Sequence, residues 1–299
     1  MEEFKDRTAV ITGAASGIGY ALAERFGAEG MNGVMADVEE PALKAAHNKL
    51  SDLGVNAIAV KADVSQIEQV QALADRAYDE YGAVHILCNN AGVGGGGMKP
   101  LWEQPLNSWR WVMGVNLWGV IHGIHAFLPR MIEQDSEGHV VNTASAAGLM
   151  QGSGIYGVTK HAVVSLSEGL FQELRGVESK IGVSVLCPGF VDTNITESER
   201  NRPEDLPGDA PPDQIPEEVQ QRIEMFRGLL KSGYRPSEVA GAVFDGVREG
   251  KLYVVPAQPM IKEGIRSRLD NVAKERNPVA PARSMINEAL RNRRDDTAN

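Results

Sequence analysis

Short runs of β-branched and other apolar residues alternate along the chain with longer stretches whose apolar residues recur at helical spacing. The first run, TAVIT at 8–12, leads into a glycine-rich turn and a stretch in which Ile18, Leu22 and Phe26 stand four residues apart. This alternation predicts βαβ units and a parallel sheet. The strand runs lack strict apolar–polar alternation, which is typical of strands covered on both faces. We therefore predict an α/β fold, a doubly wound parallel sheet of about seven strands with helices on both faces.

The same pattern gives approximate bounds for each element. The predicted strands cover residues 8–12, 33–37, 57–64, 84–92, 139–145, 182–189 and 251–256. The predicted helices cover about 20–30, 40–53, 66–81, 105–133, 156–175, 217–230 and 236–250. One or two short helices are expected in the C-terminal tail.

The pattern changes after the sixth predicted strand. Residues 196–217 are acidic and proline-rich and hold few large apolar residues. A segment of this kind inside a compact domain is a lid, a binding loop or a disordered loop. No internal repeat or linker interrupts the chain. We predict one domain over residues 1–299, with a lid-like substrate loop at about 193–235 and a C-terminal extension at about 257–299.

Charge and cysteine content indicate which partners and which cellular compartment to expect. The 299-residue chain has a formal net charge of −10 and no long basic patch, so no nucleic-acid partner is expected. Cys88 and Cys187 lie in apolar runs, which indicates buried free thiols in a reducing compartment. The N-terminus lacks the basic and apolar regions of a signal peptide, and no uninterrupted apolar run approaches about 18 residues. We expect a cytoplasmic protein without a membrane span.

The turn TGAASGIG at 12–19 places three glycines between a predicted strand and a predicted helix. Glycines there let a pyrophosphate approach the helix N-terminus closely. Asp37 ends the second predicted strand, at the distance expected for an acid that binds an adenosine ribose. A carboxylate repels a 2′-phosphate, and positions 14–16 and 38 hold no Lys or Arg, so NAD is favoured over NADP. The alternatives are an ordinary βα loop and a turn or helix-cap role for Asp37.

Tyr156 and Lys160 stand four residues apart near the start of a predicted helix, hence on one of its faces. Taken alone, they fit an exposed helical pair. A nearby ammonium also favours the ionised form of a tyrosine, and oxidation of an alcohol requires a positioned base. The pair is therefore a candidate catalytic device.

Together, these features resemble the short-chain dehydrogenase/reductase family, in its compact single-domain branch, over about residues 5–256. The matching motifs, in chain order, are TGAASGIG at 12–19, Asp37, Asp63 in ADV, NNAG at 89–92, Asn116 in VNLWG, Ser145 in NTAS, Tyr156 and Lys160 in YGVTK, and PG at 188–189 followed by Thr193. The resemblance implies a Rossmann-type fold. It also implies a homotetramer or dimer that pairs the 105–133 helix and the Tyr156 helix with their symmetry mates.

The resemblance further implies a role for each matching residue. The implied catalytic residues are Asn116, Ser145, Tyr156 and Lys160. Tyr156 would be the base, Lys160 would tune it and hold the nicotinamide ribose, Ser145 would bind the substrate oxygen, and Asn116 would hold a water that links Lys160 to solvent. The implied cofactor-binding residues are Gly13, Ser16, Gly17, Ile18, Gly19, Asp37, Asp63, Val64, Asn90, Ala91, Gly92, Tyr156, Lys160, Pro188, Gly189, Val191 and Thr193.

The expected function is NAD-dependent interconversion of a hydrophobic secondary alcohol, aromatic or cyclic, and its ketone. The organisation after the sixth strand resembles dehydrogenases of lignin-derived aryl ethers. The alternatives are a hydroxysteroid or terpenoid dehydrogenase, a carbonyl reductase, an isomerase that passes through a ketone, and a non-catalytic NAD(H)-binding sensor. AAGLMQGSGI, between Ser145 and Tyr156, is slightly shorter than is usual in the family, which leaves the pocket shape open.

Two other pairs of residues are candidates for roles in binding. His122 and His125 have no evident third ligand, so no metal site is predicted. Met98 and Trp102, near the predicted mouth of the site, either touch substrate or pack within their loop.

Overall fold

The computed structural model describes residues 1–95, 100–151, 154–208 and 217–278, and in these it contains a seven-stranded sheet. The strands are β1 (Thr8–Thr12), β2 (Asn32–Asp37), β3 (Ala57–Lys61), β4 (Ile86–Asn89), β5 (Gly138–Thr143), β6 (Ile181–Leu186) and β7 (Tyr253–Val254). They are ordered β3-β2-β1-β4-β5-β6-β7 and every neighbouring pair runs parallel. The predicted doubly wound parallel sheet is confirmed.

Helices connect the strands and cover both faces of the sheet. They are α1 (Gly17–Ala28), α2 (Glu40–Asp52), α3 (Ile67–Tyr81), α4 (Leu106–Met113), α5 (Gly119–Glu133), α6 (Gly154–Gly176), α7 (Glu217–Lys231), α8 (Pro236–Arg248) and α9 (Pro259–Ala273). Adjacent residues of β1 separate the two cores: Ile11 packs with Leu22 of α1 and Phe244 of α8, whereas Val10 packs with the core under α3 and α5. Burial on both faces explains why the strands read as continuous apolar runs.

The predicted helix 105–133 is divided in the structure. A π-helical turn at Gly114–Trp118 separates α4 from α5, and it carries the fully buried Asn116. Turns of this type often occur at functional sites. Residues 106–133 are long and apolar enough, by length and composition, to cross a membrane. In this fold α5 packs against α3 and β4 while α4 packs against α6, which are the contacts of a core helix.

Several strands are shorter at their carboxyl ends than the sequence predicts. β3 ends at Lys61, β4 at Asn89 and β6 at Leu186, and the residues that follow each of them form loops. The prediction was wrong there because apolar residues continue past the point where the backbone leaves the sheet. These loops lie at one edge of the sheet, since the carboxyl ends of parallel strands lie together.

The segment after β6 contains more helix than its composition predicts. Residues Ile195–Asn201 form a 3₁₀ helix and α7 begins at Glu217, while 209–216 lie outside the described residues. In the C-terminal extension, α9 is described, and residues 279–299 are outside the described part.

Candidate active site

The predicted dinucleotide crevice corresponds to the point where β1 and β4 are neighbours, because the chain winds away from this point in opposite directions. The turn after β1 meets the loop after β4 closely here. A Cβ on Gly13 would lie 2.8 Å from the Ala91 Cα, and a Cβ on Gly19 would lie 2.0 Å from the Gly13 carbonyl oxygen. Gly13 and Gly17 have φ of 66° and 55°, which favours glycine. Both residues are thus required by the shape of the turn.

The turn leads directly into the N-terminus of α1. Ser16 is the N-cap in an extended conformation, with no side-chain capping hydrogen bond, and Gly17 and Ile18 form the first turn. Free N–H groups at a helix start attract anions. The structure therefore gives the sequence-predicted phosphate turn the geometry that such a site needs.

Asp37 ends β2 beside this turn. Its Oδ2 accepts a hydrogen bond of 3.0 Å from the Ala15 N–H, and its Oδ1 accepts one of 3.0 Å from the Glu39 N–H. Burial raises the pKa of Asp37 although these hydrogen bonds oppose the shift. The carboxylate is thus fixed next to the phosphate turn, in the position predicted for a ribose ligand.

Asp63 and Val64 follow β3, at the same edge of the sheet. The Asp63 carboxylate accepts a hydrogen bond of 2.9 Å from the Ser65 N–H, which folds the loop back on itself. Val64 is 6% exposed, and its carbonyl oxygen is 2.9 Å from Nδ1 of His122. His122 is therefore engaged with this loop. Among the described residues, no group of three His, Cys, Asp or Glu could hold a metal ion.

Thr12, at the end of β1, organises the loop after β4. Its hydroxyl accepts hydrogen bonds from the N–H groups of Asn90 (2.9 Å) and Ala91 (3.0 Å). The Asn90 amide donates in turn to the Thr12 carbonyl (3.0 Å), and its Oδ1 accepts from Thr143 (3.3 Å). Sequence reasoning missed Thr12 and Thr143, because threonine at the end of a strand is an ordinary residue without this context.

Lys160 lies inside the protein, with 3% of its surface exposed. Its Nζ donates a hydrogen bond of 2.9 Å to the Thr143 carbonyl and lies 5.5 Å from the centroid of the Tyr156 ring. A Cβ on Gly92 would lie 3.5 Å from this Nζ and 3.4 Å from Asn116 Oδ1. The fold therefore gathers Gly92, Asn116, Tyr156 and Lys160 in one place.

The Asn116 side chain is hydrogen-bonded to the backbone of Val93. Its Oδ1 accepts from the Val93 N–H at 2.8 Å, and its Nδ2 donates to the Val93 carbonyl at 3.0 Å. Nδ2 also lies 3.3 Å from Thr159 Oγ1. Asn116 thus joins the π-helical turn to the loop after β4. The water that the resemblance assigns to it stays a prediction.

Ser145 is close enough to Tyr156 to influence its pKa. Ser145 follows β5, and its hydroxyl accepts a hydrogen bond of 3.1 Å from the Ala147 N–H. Burial raises the pKa of Tyr156, and a hydrogen bond with Ser145 partly offsets the rise. Burial also lowers the pKa of Lys160 to about 8. In the chain alone, Tyr156 is therefore held neutral, so the expected ionisation of the tyrosine depends on further positive charge.

The loop after β6 lies between two other segments of the site. The Pro188 carbonyl accepts from the Ala146 N–H at 2.9 Å, and the Gly189 N–H donates to the Pro256 carbonyl at 3.0 Å. Farther along, Val191 is buried and pairs with Tyr234, and the Thr193 methyl group lies 3.1 Å from the position of a Cβ on Gly17. The predicted residues 188–193 therefore run from Ser145 towards the phosphate turn.

Gln258 fixes this loop from the C-terminal extension. Its Oε1 accepts from the Phe190 N–H at 3.1 Å, and its Nε2 donates to the Phe190 carbonyl at 3.0 Å. A Cβ on Gly189 would lie 2.2 Å from Gln258 Oε1. Sequence reasoning missed Gln258, since no local signal links it to a residue 68 positions earlier.

Apolar residues surround the site beyond these polar groups. Val93, Trp111, Val112 and Ile155 form one cluster, with Leu206 packed against it. Met150 and Phe190 pack against a second cluster beneath α9. Of the other candidates, Trp102 is 84% exposed, and Met98 lies outside the described residues, as do 152–153 in the segment before Tyr156.

Comparisons with known proteins agree with this geometry. The model of the short chain dehydrogenase family matches residues 7–204. The 1-deoxy-11-beta-hydroxypentalenate dehydrogenase of Streptomyces exfoliatus is 44% identical over 193 residues, which are 64% of this chain and 70% of that protein. The C alpha-dehydrogenase of Sphingobium sp. strain SYK-6 is 34% identical over 280 residues, 91% of this chain and 88% of that protein.

A solved structure is similar over nearly the whole fold. It is a short chain dehydrogenase/reductase from Burkholderia phymatum in complex with NAD, with a TM-score of 0.88 and 44% identity, covering 94% of this chain and 99% of that one. The family match covers most of the chain and includes every element from β1 to β6. The chain belongs to the short-chain dehydrogenase family and is an oxidoreductase that acts on CH–OH groups.

Proposed function

We propose that the protein interconverts a hydrophobic secondary alcohol, aromatic or cyclic, and its ketone with NAD as the cofactor. The observation that carries the proposal is the buried Lys160, whose Nζ is bonded to the Thr143 carbonyl at 2.9 Å and lies 5.5 Å from the centroid of the Tyr156 ring. Ser145 follows Thr143 by two positions, so the hydroxyl-bearing residues near this lysine are Ser145 and Tyr156. A hydroxyl placed against this pair can lose its proton while its oxygen stays hydrogen-bonded. Alcohol oxidation and ketone reduction both need such a site.

The residues at the sheet edge fit NAD. The glycine turn leaves no space for side chains between Gly13, Gly19 and the loop after β4, and Asp37 presents an oriented carboxylate beside it. The residues that would hold NAD are those predicted from the sequence: Gly13, Ser16, Gly17, Ile18, Gly19, Asp37, Asp63, Val64, Asn90, Ala91, Gly92, Tyr156, Lys160, Pro188, Gly189, Val191 and Thr193. When bound, the nicotinamide ring supplies the acceptor or donor of the hydride.

Tyr156 transfers the hydroxyl proton, as base in oxidation and as acid in reduction. Because burial raises the pKa of Tyr156 in the chain alone, with Lys160 already in place, the positive charge of the oxidised cofactor must act together with the Lys160 ammonium to lower it. Ser145 donates a hydrogen bond to the substrate oxygen, where negative charge develops. A water held by Asn116 would link Lys160 to solvent and complete the path by which the proton leaves or enters the site.

The apolar surroundings support a hydrophobic substrate. Ile155, next to Tyr156 in the chain, packs with Trp111 and Leu206. Met150, between Ser145 and Tyr156 in the chain, packs against a cluster that includes Ile261 of α9. Pockets of this composition bind apolar molecules and orient them with few polar groups. Two relatives are named as dehydrogenases, of a hydroxypentalenate and of a Cα position. Their names agree with oxidation of an alcohol here.

Three organisational features are part of the same proposal. The chain forms one domain in which residues 193–235 act as a lid over the substrate. Trp118 and Val158 are exposed, in the 106–133 segment and in α6, which the family resemblance pairs with symmetry mates; their exposure supports a homotetramer or dimer. Two buried free thiols fit a cytoplasmic location. Sedimentation equilibrium would test the oligomer, since a monomer at working concentration would contradict it.

A dehydrogenation screen tests the function. Purified protein with NAD is given aryl, steroid and terpenoid secondary alcohols, and NADH formation and the ketone product are measured. We expect NADH and ketone in equal amounts with at least one hydrophobic alcohol. Binding of NADH without turnover of any alcohol or ketone would contradict the proposal and support a non-catalytic sensor.

A further inference from the structure

Residues 193–202, which we call the strap, cross the dinucleotide crevice. At one end, the Thr193 methyl group lies beside the phosphate turn, 3.1 Å from the position of a Cβ on Gly17. In the middle, Ser198 Oγ accepts a hydrogen bond of 2.9 Å from the Gly94 N–H. At the other end, Arg200 binds Glu39, in the loop after β2. The strap therefore brings a guanidinium to the end of the crevice where Asp37 lies.

Glu39 engages this arginine with both carboxylate oxygens. Arg200 Nε donates to Oε2 at 3.1 Å and Nη2 donates to Oε1 at 2.6 Å, while Asn201 Nδ2 donates to Oε1 at 2.8 Å. The Arg200 hydrogen bond is the main cause of a lowered pKa of Glu39. Two of the arginine's nitrogen donors are thus directed at one carboxylate, in the fork geometry that also suits phosphate.

The pair lies directly beside the predicted ribose ligand. Glu39 is two residues beyond Asp37, and its own N–H donates to Asp37 Oδ1 at 3.0 Å. Lys61, another cation at this end of the sheet, is paired with a different carboxylate, because its Nζ lies 3.7 Å from Glu40 Oε2. Positions 14–16 and 38 hold no basic residue. Arg200, distant in sequence, is the cation that the fold adds here, and Glu39 neutralises it.

We propose that Glu39 withholds Arg200 from the 2′ position of the adenosine ribose and so acts, with Asp37, as a determinant of NAD over NADP. Asp37 repels a 2′-phosphate directly. Glu39 occupies the guanidinium that would otherwise attract that phosphate. This inference rests on the proposed function, since it assigns a preference to the same dinucleotide site.

Equilibrium binding of NADH and NADPH, followed by nicotinamide fluorescence, tests the inference without any turnover. Glu39→Gln removes the charge but keeps the shape of the side chain. We expect it to tighten NADPH binding about tenfold, as one charge-assisted hydrogen bond to phosphate would. The Kd for NADH should stay within about threefold, because the ribose hydroxyls carry no charge. In an Arg200→Gln background, Glu39→Gln should leave NADPH binding unchanged. In an Arg200→Lys background, Glu39→Gln should still tighten NADPH binding, but by less.

Glu199→Gln is the matched control. Glu199 also binds an arginine of the strap with both oxygens, at 2.6 and 2.9 Å, but its partner Arg202 lies 4.2 Å above the Trp111 ring. This control loosens the strap by the same charge change without freeing Arg200, so it should not alter the NADPH/NADH ratio. An unchanged ratio in Glu39→Gln, or an equal change in Glu199→Gln or in the Arg200→Gln background, would overturn the inference. Failure of the wild type to bind either dinucleotide would overturn the proposed function as well.

Discussion

Lys160 donates its hydrogen bond to the carbonyl oxygen of Thr143, 2.9 Å away, from within the protein interior. Thr143 is the last residue of β5, and Ser145 follows it by two positions. Lys160 lies on the same helix as Tyr156. Its hydrogen bond therefore links that helix to the strand that leads to Ser145. A charged group in such a position lowers the stability of the fold unless it is paired.

Replacement of Lys160 by Met should abolish turnover and stabilise the protein at pH 7. The folded pKa is lowered to about 8 from the ordinary 10.5, so the unfolded chain binds this proton more tightly. Burial of the Lys160 ammonium therefore lowers the free energy of unfolding by at most about 3 kcal/mol. This destabilisation is fully present below about pH 8 and is lost as the pH rises from about 8 to 10.5. Loss of the hydrogen bond to Thr143 offsets about 1 kcal/mol of the gain.

Thermal unfolding of both proteins at pH 7 and pH 10 checks this prediction. The variant should have the higher Tm at pH 7, and the difference should shrink at pH 10. The prediction would be contradicted by a variant that has the lower Tm at pH 7 and the same Tm difference from the wild type at pH 10. That result would show that burial of the ammonium is not what limits stability here.

Asp37→Ala should weaken NAD binding and relax discrimination against NADP. The carboxylate is oriented by two N–H groups, so its removal deletes acceptors for the ribose hydroxyls and the repulsion of a 2′-phosphate. We expect the Kd for NADH to rise about tenfold, equivalent to one lost charge-assisted hydrogen bond. Fluorescence titration with both reduced dinucleotides measures it. An unaltered NADH/NADPH preference would remove Asp37 from the ribose site.

Gln258→Glu should lower NADH affinity in a pH-dependent way. An ionised carboxylate can accept from the Phe190 N–H but cannot donate to the Phe190 carbonyl. The loop after β6 would then be displaced, and we expect the Kd for NADH to rise about five- to tenfold at pH 8. Affinity should recover as the pH is lowered, because a protonated carboxyl group can again donate.

Gln134 provides a matched control for this experiment. It binds the backbone of Val84 in the same way, accepting from its N–H at 3.0 Å and donating to its carbonyl at 2.9 Å, just before β4 begins. Gln134→Glu should lower stability without affecting NADH binding, since it lies at the opposite edge of the sheet. Equal loss of NADH affinity in both variants would mean that Gln258 acts through general stability alone.

Gly123→Ala should destabilise the protein. A Cβ at this position of α5 would lie 2.0 Å from Oδ1 of the buried Asn89, which has no room to move freely because its Nδ2 is bonded to Asn142. Overpacking of this kind costs about 1–3 kcal/mol. Gly241, in α8, has nothing within 4 Å of an added Cβ, so Gly241→Ala should instead raise stability by about 0.5–1 kcal/mol. Urea unfolding of both variants measures the change in the free energy of unfolding, which should be negative for Gly123→Ala and positive for Gly241→Ala. An unchanged free energy of unfolding in Gly123→Ala would contradict the close contact with Asn89.

The sequence predicted the order of strands and helices well because each element carries its own periodicity. It also placed Ser145, Tyr156 and Lys160 by motif, and the structure brings these residues together. It could not predict contacts between residues that lack a shared local pattern, such as Arg200 with Glu39 or Gln258 with Phe190. The π-helical turn at Asn116 was missed for a related reason, since its apolar spacing differs little from that of an α-helix.

The central claim is that Tyr156 transfers the proton of the alcohol. Tyr156→Phe keeps the ring and removes only the hydroxyl. With an alcohol identified by the screen, we expect kcat to fall by about a thousandfold or more, as loss of a general acid–base group does, while the Kd for NADH stays within about threefold of the wild type. Retention of a tenth or more of the wild-type kcat, at about the same NADH affinity, would contradict the account.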